Sequence, residues 1–122
     1  MPADRVVMKP ARASFEQAAA VPLTAVTALQ ILRDTAKVRA GQQVLIVGAG
    51  GGIGTFAVQL ATHSGAMVTG VQSTAALDLV RSLGADRVID YTKEDFTTGD
   101  ARCDVIVAIT SVPVSCQTFC AW

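Results

Sequence analysis

Residues 44–54, VLIVGAGGGIG, carry the clearest chemistry in this 122-residue chain. Four apolar residues, Val44, Leu45, Ile46 and Val47, run straight into a loop holding Gly48, Ala49, Gly50, Gly51, Gly52 and Gly54. Backbone that lacks Cβ atoms can turn tightly and come close to a pyrophosphate. If a helix starts at once, its first turn adds unpaired N–H groups and the positive end of a dipole. The spacing A-x-G-x-x-G over Ala49, Gly51 and Gly54 is a dinucleotide fingerprint with Ala in place of the first Gly. Glycine-rich loops also make plain turns, and the strand before the loop and the helix after it distinguish a nucleotide site from those.

The second place to look is the end of the next strand, where an acidic side chain about 20 residues beyond the glycines accepts the ribose hydroxyls in NAD sites. Here the chain reads Val71-Gln72-Ser73-Thr74, with no acid. Ser73 and Thr74 can donate hydrogen bonds, and a helix that they start would offer free N–H groups. That pocket tolerates a 2′-phosphate and favours NADPH over NADH. Ser and Thr after a strand are also ordinary helix caps.

Other reactive types are sparse. Cys103, Cys116 and Cys120 form an odd set, expected to be reduced thiols. Cys116-x-x-x-Cys120 is not a usual zinc spacing, and the only histidine, His63, is far off in sequence, so no metal site is expected. His63 falls in the last turn of a predicted helix, where the dipole favours a cation.

Composition sets the frame. Half the residues are hydrophobic and the formal net charge is zero, which suits a buried sheet and gives no basic stripe for nucleic acid. Residues 40–77 contain no Asp, Glu, Lys or Arg, but Gly, Gln, Thr, Ser and His interrupt the run, so no membrane span is expected. The first ten residues, MPADRVVMKP, have no apolar core of a secretory signal, and a cytoplasmic location is expected.

The elements that must position these residues follow from periodicity. Ser14 and Gln17 form a capping box for a short helix through Ala20. Leu23 to Ala36 reads as a longer helix with Ala25, Ala28, Leu29 and Leu32 on one side. A strand begins near Gln43. The helix after the glycine loop places Ile53, Phe56, Ala57, Leu60 and Ala61 on one face, and Gly65 stands at its C-terminal end. Met67 to Val71 is a second strand. Ser73 or Thr74 caps a helix through Leu83 with Leu77, Val80 and Leu83 inward. Arg87 to Ile89 is a third strand, Thr92 to Phe96 a turn, and Asp104 to Ile109 a fourth strand. The prediction is a Rossmann-like α/β fold: a doubly wound parallel sheet, incomplete at about four strands, with helices on both faces. Residues 1–40 form a junction segment with linking helices, 41–110 the nucleotide-binding domain and 111–122 a tail. A fourth strand at the edge of the sheet would leave an open apolar edge, through which a homodimer could form.

Taken together, SFEQAAAVPLTAVTALQIL, VLIVGAGGGIGTFAVQLA, VTGVQST, SLGADRVIDYTKEDF and CDVIV resemble, in order and spacing, the medium-chain dehydrogenase/reductase superfamily, in its zinc-free quinone oxidoreductase branch. The resemblance covers the chain up to about Ile109. It implies that Gly51, Gly52, Ile53 and Gly54 line the pyrophosphate, and that Ser73 and Thr74 meet the adenosine ribose or its phosphate. It also implies that Tyr91 packs near the 2′-phosphate and that Thr27 stands near the nicotinamide and substrate. On the residues alone, Thr27 is a mid-helix threonine bonding its own turn and Tyr91 a packed aromatic.

The chain departs from the family in several places. Ala75 and Ala76 follow the Ser-Thr pair where some relatives carry a basic residue. Ala108-Ile109-Thr110 stands where an Asp is usual. The tail SVPVSCQTFCAW does not resemble the family. The N-terminal barrel-like catalytic domain and two further strands are expected to be missing, and with them any zinc ligands.

The function expected is an NADPH-dependent, quinone reductase-like oxidoreductase, with a quinone or enal-type small molecule as acceptor. The alternative is a non-catalytic nucleotide-binding fragment without the catalytic domain. A short-chain dehydrogenase also fits Gly48-x-x-x-Gly52-x-Gly54, but it needs a Tyr-x-x-x-Lys pair, and the sole tyrosine, Tyr91, is followed four residues on by Asp95.

Overall fold

A computed structural model describes residues 2–96 and 102–109. After a single 3-10 turn at Ala3–Arg5, the chain forms α1 (Phe15–Ala19), α2 (Thr24–Leu29), β1 (Gln43–Val47), α3 (Gly52–His63) and β2 (Met67–Gln72). It continues through α4 (Leu77–Ser82), β3 (Arg87–Asp90) and β4 (Val105–Ala108). The four strands make one parallel sheet in the order β3-β2-β1-β4. In that order the chain reverses direction across the sheet between β1 and β4, and ligands of open α/β sheets bind at such a point, outside the carboxyl ends of the strands.

Burial follows the alternation of a strand. Val44 and Ile46 face one side with Ala28, Leu32, Ala57, Val58, Ala61, Val68, Val80 and Val107. Leu45 and Val47 face the other with Val71 and Ile89. The central strand is therefore covered on both sides, as its unbroken apolar run requires. The helices expected on both faces are seen on the first, where the core residues of α2, α3 and α4 pack. On the second, the described residues supply Phe96 and Cys103, from the connection between β3 and β4.

Three local expectations need correction. The helix predicted from Leu23 to Ala36 begins as an α-helix and widens after Leu29 into a π-helical stretch, Gln30–Thr35, where the Ala36 N–H reaches back five residues to the Ile31 carbonyl at 2.8 Å. Ser73 and Thr74 do not start the next helix. A 3-10 turn, Thr74–Ala76, intervenes, Ser73 gives it no side-chain cap, and α4 begins at Leu77. The inward face of α3 also includes Val58, fully buried beside Ala57. The capping box at Ser14 is present as expected: the Gln17 N–H donates to Ser14 Oγ at 3.1 Å, and the Ser14 N–H to Gln17 Oε1 at 2.9 Å. The tail 111–122, with Cys116 and Cys120, lies outside the described residues.

The two rims of the sheet are finished differently. At the amino rim, a carboxylate accepts an N–H from the start of each inner strand. Gln43 N–H donates to Asp104 Oδ2 at 2.7 Å and Val68 N–H to Asp86 Oδ2 at 2.8 Å. The carboxyl rim carries the glycine loop, Ser73, Thr74 and Tyr91.

Candidate cofactor site at the carboxyl rim of the sheet

The glycine loop is held from below by β2. Gly48, in the left-handed region at φ +86°, and Ala49 both donate their N–H to the Val71 carbonyl, at 3.0 and 3.2 Å. Ala49 is fully buried. The Gly50 N–H donates to Gln72 Oε1 at 3.3 Å, tying the loop to the last residue of β2. The Gly51 N–H donates to the Gly48 carbonyl at 3.2 Å and closes the turn.

The glycines differ in why they are glycine. A Cβ on Gly54 would stand 2.1 Å from the Gly48 carbonyl oxygen and 2.8 Å from Ala49 backbone atoms, so close packing of α3 on the loop forbids one. A Cβ on Gly51 would meet nothing nearer than the Gly48 oxygen at 3.5 Å, and one on Gly52 nothing nearer than Thr24 Cγ2 at 3.4 Å. Those are ordinary contacts. The fold itself does not demand glycine at 51 or 52, and the space kept clear there faces the start of α3. No side chain caps that helix. The N–H groups of Gly52, Ile53 and Gly54 in its first turn have no intrahelical acceptor. Bare backbone, free donors and a positive helix end suit a pyrophosphate, so the residues present fit a dinucleotide.

The outer part of the rim holds the other sequence-selected residues. Ser73 follows β2, and Tyr91, directly after β3, is 42% exposed and donates its N–H to the Gln72 carbonyl at 3.3 Å. Thr74 is engaged inward. Its hydroxyl donates to the Asp90 carboxylate, which also accepts from the Thr92 hydroxyl and, at 2.9 Å, from the Thr92 N–H. Asp90 is only 7% exposed. The donated bonds hold its carboxyl below the usual carboxylate range, with the Thr74 hydroxyl the first cause and the Thr92 hydroxyl the second. Asp90 and Gln72 are register partners across β2 and β3.

Sequence reading missed both Asp90 and Gln72. The signal for Asp90 was Asp-Tyr-Thr at a strand end, an Asx turn in which the carboxylate takes the N–H two residues on. The signal for Gln72 was its place at the end of β2, close to where the fingerprint acid would stand.

Thr27, by contrast, bonds its own turn: its hydroxyl donates to the Leu23 carbonyl at 2.6 Å. Thr24, one turn earlier on the same helix, is the α2 residue nearest the Gly52 position. Sequence reading did not select it. Cys103 is a free thiol, pushed up in pKa by burial and secondarily by Asp104, so it stays protonated near neutrality. Among the described residues, no three of His, Cys, Asp and Glu gather as a metal site. Zinc needs three or four such ligands, so the described residues do not fit one. No described helix is long and apolar enough to cross a membrane.

Residues 52–118 match the family described as zinc-binding dehydrogenase, and the match runs past β4 into the tail. The NADPH-dependent alkenal/one oxidoreductase, chloroplastic, of Arabidopsis thaliana is 41% identical over 103 residues, covering 83% of this chain and 26% of that protein. The solved structure of the quinone oxidoreductase from Coxiella burnetii is 37% identical with a TM-score of 0.76, over 82% of this chain and 32% of that one. A solved NAD-dependent alcohol dehydrogenase is 39% identical with a TM-score of 0.75, over 80% and 29%. The chain spans about a quarter of the length of the curated relatives it matches.

Proposed function

The chain belongs to the zinc-binding dehydrogenase family, within the medium-chain dehydrogenase/reductase superfamily, and on that premise we propose that it is the cofactor-holding part of an NADPH-dependent oxidoreductase of the quinone reductase type. The acceptor would be a quinone or an enal-type small molecule. What carries the reading is the clear, uncapped approach to α3 at Gly51 and Gly52.

When bound, the cofactor supplies the hydride chemistry, and the protein supplies binding and orientation. The N–H groups of Gly52, Ile53 and Gly54 hold the pyrophosphate, above a floor made by Ala49. Ser73 and Tyr91 border the adenosine ribose. Thr24, on α2, borders the other end of the loop, and Thr27, one turn further along α2, would stand toward the nicotinamide. NADPH is favoured because no acid ends β2 and because Ser73 retains a hydroxyl able to donate. The NADPH-dependent relative from Arabidopsis thaliana points the same way.

Calorimetric titration with NADPH and NADH, beside Gly51→Val, tests the reading. Gly51 has an extended backbone (φ −79°, ψ 175°) that valine adopts readily, so the variant should fold. Saturable NADPH binding, weakened at least tenfold in Gly51→Val as its side chain fills the phosphate approach, is the expected result. No binding of either cofactor would refute it. Binding without oxidation of NADPH by added quinone would favour a non-catalytic nucleotide-binding fragment.

A further inference from the structure

We infer that Asp90, which no ligand need touch, is a specificity-determining positioning residue: through the Thr74 and Thr92 hydroxyls it restrains the preference for a 2′-phosphorylated cofactor. The inference rests on the reading of this rim as a nicotinamide cofactor site and deepens it.

An ionised carboxylate only accepts hydrogen bonds, and a threonine hydroxyl has a single hydrogen. Asp90 Oδ2 takes the hydrogen of Thr74 Oγ1, and Asp90 Oδ1 takes that of Thr92 Oγ1. The two hydroxyl oxygens lie 3.4 Å apart, with both hydrogens already committed inward. Thr74 and Thr92 are themselves exposed. They therefore present to solvent lone pairs that can only accept. A ribose 2′-hydroxyl has a hydrogen to give them, whereas a 2′-phosphate dianion has none and also meets the charge of Asp90 behind them. The carboxylate stays ionised because three donated bonds stabilise its charge.

Position supports the assignment. The fingerprint acid of an NAD site stands at the end of β2. Here β2 ends in Gln72, whose side chain is turned to the Gly50 N–H. A carboxylate is supplied from β3 instead, at the residue in register with Gln72. It acts at one remove, through hydroxyls contributed from both sides. Ser73 remains on the donor side of the balance and Thr74 with Thr92 on the acceptor side, so the rim favours NADPH less than the missing β2 acid alone suggests.

The test is the ratio of NADPH to NADH dissociation constants, measured by calorimetry on the full chain. In Asp90→Asn the amide can accept from one threonine and donate to the other, which frees one hydroxyl hydrogen and removes the charge. The ratio should shift roughly tenfold toward NADPH, the scale of one charge-assisted hydrogen bond. In Thr74→Val the acceptor for a ribose 2′-hydroxyl is lost, so NADH affinity should fall by more than NADPH affinity, because the hydrogen lost with it never faced a phosphate. An unchanged ratio in a folded Asp90→Asn overturns the inference. So does a loss of NADPH affinity in Thr74→Val as large as that of NADH or larger, a result that is read even if Asp90→Asn fails to fold. Wild-type chain that binds neither cofactor overturns the cofactor reading and this inference with it, and is distinguished by needing no variant at all.

Discussion

Gly51 and Gly54 stand three residues apart in one motif, yet the first is free of protein contacts that would exclude a side chain and the second is pressed against the Gly48 carbonyl. Gly54→Ala should therefore lower stability by about 3 kcal/mol or more, since the added methyl meets rigid backbone. Chemical denaturation beside Gly51→Val checks this: the Gly51 variant should stay within about 1 kcal/mol of wild type, as surface changes without a new clash do. Asp90 gives a pH prediction. Its folded pKa lies below the unfolded value, so its contribution to stability is fully present above about pH 4 and fades as pH falls toward the folded value. The stability difference between wild type and Asp90→Asn should shrink on acidification through that range, and a difference constant from pH 7 to pH 2 would refute it. Cys103, with its raised pKa, should react with a maleimide more slowly at neutral pH than free glutathione does, measured in a chain whose Cys116 and Cys120 are serine.

At the scale of elements, what was legible in the sequence was what repeats. The unbroken apolar run of β1, buried on both faces, and the apolar faces of α2, α3 and α4 are written in residue type, and so are the glycines at 65 and 84 that close α3 and α4 in the left-handed region. The strands, whose bounds differ from those expected by at most one residue at an end, and the glycine loop follow from these. Less legible were events decided by a partner distant in sequence. Thr74 has the composition of a cap, but its hydroxyl donates to Asp90, sixteen residues on, and this charged acceptor holds the side chain toward the end of β3. The π-helical stretch after Leu29 likewise has no sequence mark that we can name. Asp86 reads as a loop acid and Asp104 as the first residue of a strand until the sheet brings them to the Val68 and Gln43 N–H groups at the start of β2 and β1. Removing the acceptor at Asp86 with alanine should cost about 1 to 2 kcal/mol in urea denaturation, leaving the partly buried Val68 N–H without its partner. Cofactor affinity should be unchanged, because that rim is the opposite one.

For the molecule as a whole, β4 pairs only with β1 among the described residues, and self-association of the chain through that edge is expected to grow with concentration. A single monomeric boundary in sedimentation at high concentration would overturn that expectation. The loop between β1 and α3 has a different consequence. Its amides are sorted before any ligand arrives: those of Gly48, Ala49, Gly50 and Gly51 already end on protein oxygens, whereas those opening α3 do not. The cradle is thus rigid in advance, and a cofactor would be met by backbone that has little conformational freedom left to lose. In hydrogen exchange, Gly48 and Ala49 should already be slow in the free chain. Cofactor should slow chiefly Gly52, Ile53 and Gly54, tracing the outline of a phosphate in three consecutive amides.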